Sequence, residues 1–249
     1  MERGAISVAK DNRLLEAAFF LCAIGAIAGS LLASDRQGAW QWLHYLTKPT
    51  ATALLFVMVY RNAATDIYGR AIAVGLVFAL AGDFFLMLPG DYFLWGLVCF
   101  LLTHCAYIYA LTRDARPAGR WPIFAGFAAV ALLMVAGLWN AVPVGMRLPV
   151  TLYAAALAFM TAQAVSRASQ MPQGTPAAAT ARLAAIGGVL FLISDTILAY
   201  GRFRRTIPGQ SLWVLGSYYI AQLLFARSTC AISGTETNSE DRVANRQPI

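Results

Sequence analysis

Two acidic residues stand where acids are costly. In LAGDFFLMLPGD (Leu80–Asp91), Asp83 lies near the end of an apolar run long enough to cross a membrane; in VLFLISDTILAY (Val189–Tyr200), Asp195 repeats that placement. Ionisable side chains inside membrane spans are rare and as a rule face a protein interior or a water-filled cavity. Each aspartate lies about five residues from the end of its run, roughly 7–8 Å below it at 1.5 Å per residue. The two runs point the same way, so both carboxylates are expected at matching depth. If they share one cavity, repulsion and burial would divide them, one holding a proton and the other ionised. Such a pair can act as general acid and general base. Taken singly, either could be a helix–helix hydrogen bond that fixes packing; equal depth on helices of equal polarity favours a shared task.

Other polar groups fall near the same level. Lys48 precedes Pro49 where a second span enters, and reads either as a partner for an acid or as a lysine snorkelling to the interface. Asn140, Thr151 and Tyr153 lie toward the same side, as do Tyr218, Tyr219 and Gln222 in the last span, while His104, Tyr107 and Tyr109 lie deeper. Ser194 directly precedes Asp195. For His104 the plain alternative is an interhelical hydrogen bond. In the basic loop GRFRRTIPG, Arg202, Arg204 and Arg205 could hold a lipid phosphate through charge-assisted hydrogen bonds, or simply anchor at head groups.

The elements that must position these groups follow from composition. Of 249 residues, 59% are hydrophobic and only 12% charged, with a mean hydropathy of +0.61, whereas soluble domains carry about a quarter charged residues. The expected fold is all-α, a polytopic membrane bundle forming one domain over residues 1–227. Apolar runs predict about eight spans, at 14–34, 49–64, 70–88, 92–111, 121–139, 147–166, 179–200 and 210–227. The second is the weakest and is expected either to be enclosed or to be extended by the Trp-rich QGAWQWLHYL before Pro49. The run Leu14–Ala33 reads as a retained first helix rather than a cleaved signal peptide, because spans of similar length follow it. About 13 of the 19 Lys and Arg fall in inner segments when both termini are cytoplasmic, Arg36 being among the outer ones. The polar tail 228–249 is expected to be disordered.

Two patterns cut across this map. VFALAGDFFLML at Val77 matches VLFLISDTILAY at Val189, and FLWGL at Phe93 matches SLWVL at Ser211, which suggests a four-plus-four parallel repeat. The formal charge of +7 is spread over short loops and forms no basic domain, which argues against nucleic acid as a partner. Cys22, Cys99, Cys105 and Cys230 form no CxxC pair, and His44 and His104 are the only histidines; neither a disulfide framework nor a metal centre is read, and no cofactor is expected.

The chain resembles the YhhN-like lysoplasmalogenase family. The residues that carry the resemblance are Lys48–Pro49, Gly82–Asp83, the series Gly96, Leu97, Phe100, His104 and Tyr107, then Leu190–Asp195 and Tyr218–Gln222. The resemblance implies an eight-helix integral membrane hydrolase, in a bacterial inner (plasma) membrane. It would cleave the vinyl ether bond of lysoplasmalogens to a fatty aldehyde and a glycerophospho-alcohol, without a metal. The family's two proposed catalytic aspartates would be Asp83 and Asp195. A lysophospholipid substrate and membrane lipids are the implied partners; the oligomeric state is not legible. The chemistry suits the residues, since a vinyl ether opens by protonation at carbon to an oxocarbenium ion, a problem glycosidases solve with two carboxylates.

Other classes read less well. A proton-coupled transporter or lipid carrier could use paired aspartates, yet no helix is broken by clustered Gly or Pro at mid-depth. An intramembrane aspartyl protease would need a GxGD and a YD, where Leu80 and Ser194 stand instead.

Overall fold

A computed structural model describes residues 2–33, 38–63 and 66–229. Among these residues the backbone is helical apart from short connections, as runs of apolar side chains without backbone partners in lipid require. Eight helices form: α1 (Glu2–Leu32), α2 (Ala39–Ala63), α3 (Ile67–Met87), α4 (Phe93–Leu111), α5 (Trp121–Leu138), α6 (Val144–Gln170), α7 (Pro176–Phe203) and α8 (Gln210–Arg227). Capping marks two starts: Asp66 accepts from Gly69 N at the head of α3, and Thr175 from Ala178 N at the head of α7. Six helices are long and apolar enough to cross a membrane, and the protein is a multi-pass integral membrane protein.

The expected boundaries shift in three places. α2 is not short: it runs unbroken through Pro49 from Ala39, so the Trp-rich segment belongs to it. α7 continues past Tyr200 to Phe203, which puts Asp195 eight residues from the end of its helix against four for Asp83. Ser228 and Thr229, read from sequence as the start of a polar tail, are buried, and Tyr68 Oη lies 2.7 Å from Ser228 Oγ. The remaining tail, with Cys230, and Arg36 lie outside the described residues.

The packing order shows how eight helices make one enclosed site. Helices α2, α3, α4, α6, α7 and α8 close a ring in that order, with α1 packed on α2 and α5 on α6. This is the order two four-helix repeats give when turned about an axis along the bundle: α2·α3 corresponds to α6·α7, α3·α4 to α7·α8, and α4·α6 to α8·α2. Internal prolines sit in two corresponding helices, Pro49 in α2 and Pro149 in α6. The symmetry is imperfect, since α1 leans on α8 whereas α5 leans on α7.

Corresponding residues meet where such an axis must pass. Phe100 of α4 lies edge-on to Tyr218 of α8, ring centroids 5.8 Å apart, and Tyr107 lies 4.5 Å from Phe225. Two glycines make that approach possible. A Cβ on Gly75 would lie 2.2 Å from the Tyr107 ring; its counterpart on Gly187 would lie 3.0 Å from the Ala221 carbonyl and 3.2 Å from the Phe225 ring. Gly75 needs the hydrogen side chain of glycine, and at Gly187 a Cβ would require its neighbours to give by a few tenths of an ångström.

Candidate active site

α3 and α7 deliver Asp83 and Asp195 into one cavity of about 450 Å³. Its walls carry Lys48, Phe100, Ser194, Leu215 and Tyr218, and it reaches the mouth at Asp91 and Arg202. Asp83 is 1% exposed and Asp195 9%, so each carboxylate depends on protein groups for its solvation.

Asp83 is answered on both oxygens. Lys48 Nζ lies 3.4 Å from Oδ1, while Thr52 Oγ1 and Tyr218 Oη donate to Oδ2 at 2.7 and 2.8 Å. Lys48 is itself only 6% exposed, so it does not snorkel; it is the carboxylate's counter-ion. Behind Tyr218 the network continues. Gln222 Nε2 donates to Tyr218 Oη at 3.3 Å, and Tyr107 Oη donates to Gln222 Oε1 at 2.6 Å.

Asp195 is answered on one side. Tyr153 Oη donates to Oδ2, and His104 Nε2 lies 3.0 Å from the same hydroxyl and 3.8 Å from Oδ2. Oδ1 has no hydrogen-bond partner among the described residues. Asp195 also lines a small apolar cleft with Leu97, Met134 and Val150.

The two half-sites are built alike. Each aspartate takes a hydroxyl from the helix before it, Thr52 of α2 or Tyr153 of α6. Each also neighbours a side chain from the closing helix of the other repeat, Tyr218 of α8 or His104 of α4. Corresponding positions have diverged in residue type, His104 standing where the other half has Gln222.

Of the residues expected at the site, Lys48, Ser194, Arg202 and Tyr218 line the cavity with the aspartates. Ser194 Oγ is spent on the Val214 carbonyl at 3.0 Å, which ties α7 to α8. His104, Tyr107, Tyr153 and Gln222 stand one layer behind, joined by hydrogen bonds. Arg202 pairs with Asp91 at 2.8 Å and lies over the Phe93 ring.

Several expectations are corrected. Thr151 bonds its own helix at the Arg147 carbonyl and lines a groove between α5 and α6. Asn140 and Tyr109 are exposed, the latter under Arg113. Tyr219 is buried against Phe19 with its hydroxyl unpartnered, one helical step away from the cavity face that Tyr218 takes. Arg204 donates to the Gly137 carbonyl, and neither it nor Arg205 lines the cavity with Arg202. Sequence reasoning missed His44 and Thr52. Both were findable, because 44, 48 and 52 are spaced by four and share one face of α2. His44 lines the cavity, its Nδ1 held 2.8 Å from the Ala26 carbonyl. Among the described residues no three His, Cys, Asp or Glu side chains gather as a metal-ligand set.

Residues 43–229 match the YhhN family. The chain is 32% identical to the lysoplasmalogenase TMEM86A of Bos taurus over 190 residues, 75% of this chain and 72% of that protein. It is 27% identical to the lysoplasmalogenase TMEM86B of Sus scrofa, over 84% of this chain and 83% of that one. It is 29% identical to a lysoplasmalogenase of Mycobacterium bovis, over 73% and 69%. No solved structure matches.

Proposed function

The chain belongs to the YhhN family, and from that premise we propose that it is a membrane hydrolase that opens the vinyl ether of lysoplasmalogens by two-carboxylate catalysis. The observation that carries the proposal is that Asp83 and Asp195 line one cavity from separate helices. Fatty aldehyde and a glycerophospho-alcohol are the products.

The roles follow from the partners. Asp83 accepts from Lys48 on Oδ1 and from Thr52 and Tyr218 on Oδ2, partners that favour its charged form; it serves as the ionised group. Asp195 accepts on Oδ2 alone, leaving Oδ1 to carry the transferable proton. That proton passes to the β-carbon of the vinyl ether: the π pair forms the new C–H bond, the O–H pair stays on Asp195 as carboxylate, and an oxocarbenium ion develops at the α-carbon. The Asp83 carboxylate stabilises the cation and takes a proton from the water that adds to it. The resulting hemiacetal breaks its bond to the glycerol oxygen, which takes the proton held by Asp83 as it leaves, while the hemiacetal hydroxyl gives its proton to Asp195 and the aldehyde is released with both carboxyl groups restored. The atoms balance as one water consumed per ether cleaved.

Substrate placement uses the same walls. The alkenyl chain lies against Phe85, Leu86, Leu198 and Leu215, apolar residues of the cavity, and the phosphate meets Arg202 at the mouth. With both termini cytoplasmic, that mouth faces the opposite side of the membrane.

The test is mass spectrometry of purified protein in detergent with lysoplasmenyl and lysoacyl phospholipids. Aldehyde from the first and no fatty acid from the second is the expected result. D83N and D195N should each lose aldehyde release, D195N with its melting temperature kept and D83N with it lowered because Lys48 loses its counter-ion; turnover retained in both would remove the mechanism, and fatty acid release would mean ester hydrolysis instead.

A further inference from the structure

His104 is fully buried at 0% exposure, yet its Nδ1 has no hydrogen-bond partner. Its ring packs edge-on against Phe191, centroids 4.9 Å apart, and the titratable groups that meet it are Tyr153 from α6 and Asp195 from α7. A buried N–H without an acceptor is costlier and rarer than a buried lone pair without a donor. The hydrogen therefore belongs on Nε2, leaving a bare lone pair at Nδ1. Nε2–H then donates to Tyr153 Oη, and the single Tyr153 hydrogen has one remaining acceptor, Asp195 Oδ2. With the other tautomer, Tyr153 would turn its hydrogen toward His104 and leave Asp195.

We propose that His104 is a positioning residue: as an N–H donor it locks the Tyr153 hydroxyl onto Asp195 Oδ2 and so keeps the acid's proton on Oδ1, facing the cavity. The proposal rests on the reading of Asp195 as the acid given above. Its second support is the other half-site. Gln222, the counterpart of His104 in the repeat, uses its own N–H to donate to Tyr218, which donates to Asp83. The two halves hold different residues at corresponding places with one function in common, a side-chain N–H behind a tyrosine. His104 therefore acts as a donor and not as a base, and glutamine should replace it.

Steady-state aldehyde release in detergent from a 1-alkenyl lysophosphatidylcholine tests this with H104Q, H104L, Y153F and the double variant Y153F/H104L. H104Q should stay within about twofold of wild type, because its amide keeps the donor. H104L should lose about five- to tenfold in kcat, the factor one ordinary hydrogen bond is worth, with KM unchanged. In the Y153F background H104L should cost nothing more, because the hydroxyl it orients is gone. Equal losses in H104Q and H104L, an undiminished H104L, or an additive double variant each overturn the proposal.

A measurement on the wild-type protein stands beside the variants should H104L fail to fold. In 15N-histidine spectra, the signal missing from H104Q should report a neutral ring with its hydrogen on Nε2. A hydrogen on Nδ1, or a doubly protonated ring, overturns the proposal. Full activity in D195N would instead remove the underlying assignment of the acid, an outcome the tautomer measurement does not share.

Discussion

Lys48 Nζ lies 3.4 Å from Asp83 Oδ1, an ion pair between α2 and α3 with both partners almost completely enclosed. Neither charge has bulk water to fall back on, so each depends on the other. Breaking a buried pair from one side is strongly destabilising because an uncompensated charge remains, whereas removing both partners is far milder.

K48M is expected to destabilise the protein by about 3–5 kcal/mol and to abolish aldehyde release. K48M/D83N, neutral on both sides, should recover most of that stability and none of the activity. Thermal unfolding in detergent and product analysis check the two halves separately. Equal melting temperatures for K48M and the double variant would show that the pair is not the reason for Lys48.

Glycine at position 75 is required by the Tyr107 ring, whose nearest atom would lie 2.2 Å from an added Cβ. That ring cannot retreat, because Phe225 lies 4.5 Å behind it. G75A should therefore cost about 1–3 kcal/mol through overpacking. At Gly126 nothing lies within 4 Å of an added Cβ, so G126A should stay within about 0.5 kcal/mol of wild type. Comparable melting temperatures for the two variants would contradict the close approach of α3 and α4.

The pairing of Arg202 with Asp91 spans the cavity mouth, and both side chains are well exposed. An exposed pair contributes roughly 0–1 kcal/mol to stability, so its loss should register in substrate binding and not in folding. R202Q is expected to raise KM for a lysophospholipid several-fold, on the order of one charge-assisted hydrogen bond, with kcat unchanged. D91N, which releases the guanidinium to the phosphate, should lower KM. Steady-state kinetics at low salt decide this; an unchanged KM in R202Q would move the phosphate elsewhere.

Much of the molecule could be read from its residues. Apolar length predicted the eight helices because, in a bilayer, every backbone polar group must be satisfied within the helix. The repeat was visible in matching stretches around Asp83 and Asp195, and the cost of burying acids marked them as a pair before any geometry was known. Periodicity could also have supplied His44 and Thr52, one turn either side of Lys48. What sequence could not supply was rotation and closure. Tyr218 reaches Asp83 while its neighbour Tyr219 packs on Phe19, a difference of one helical step set by how α8 turns against α3 and α1. Thr151 and Tyr153 separate for the same reason, one to the α5 groove and the other to Asp195. Most of all, the unlike surroundings of two like aspartates each combine the preceding helix with one distant in the chain: Lys48 of α2 and Tyr218 of α8 enclose one, Tyr153 of α6 and His104 of α4 the other. Spacing along a helix can place an acid at a depth, but what surrounds it depends on which other helices the ring brings alongside.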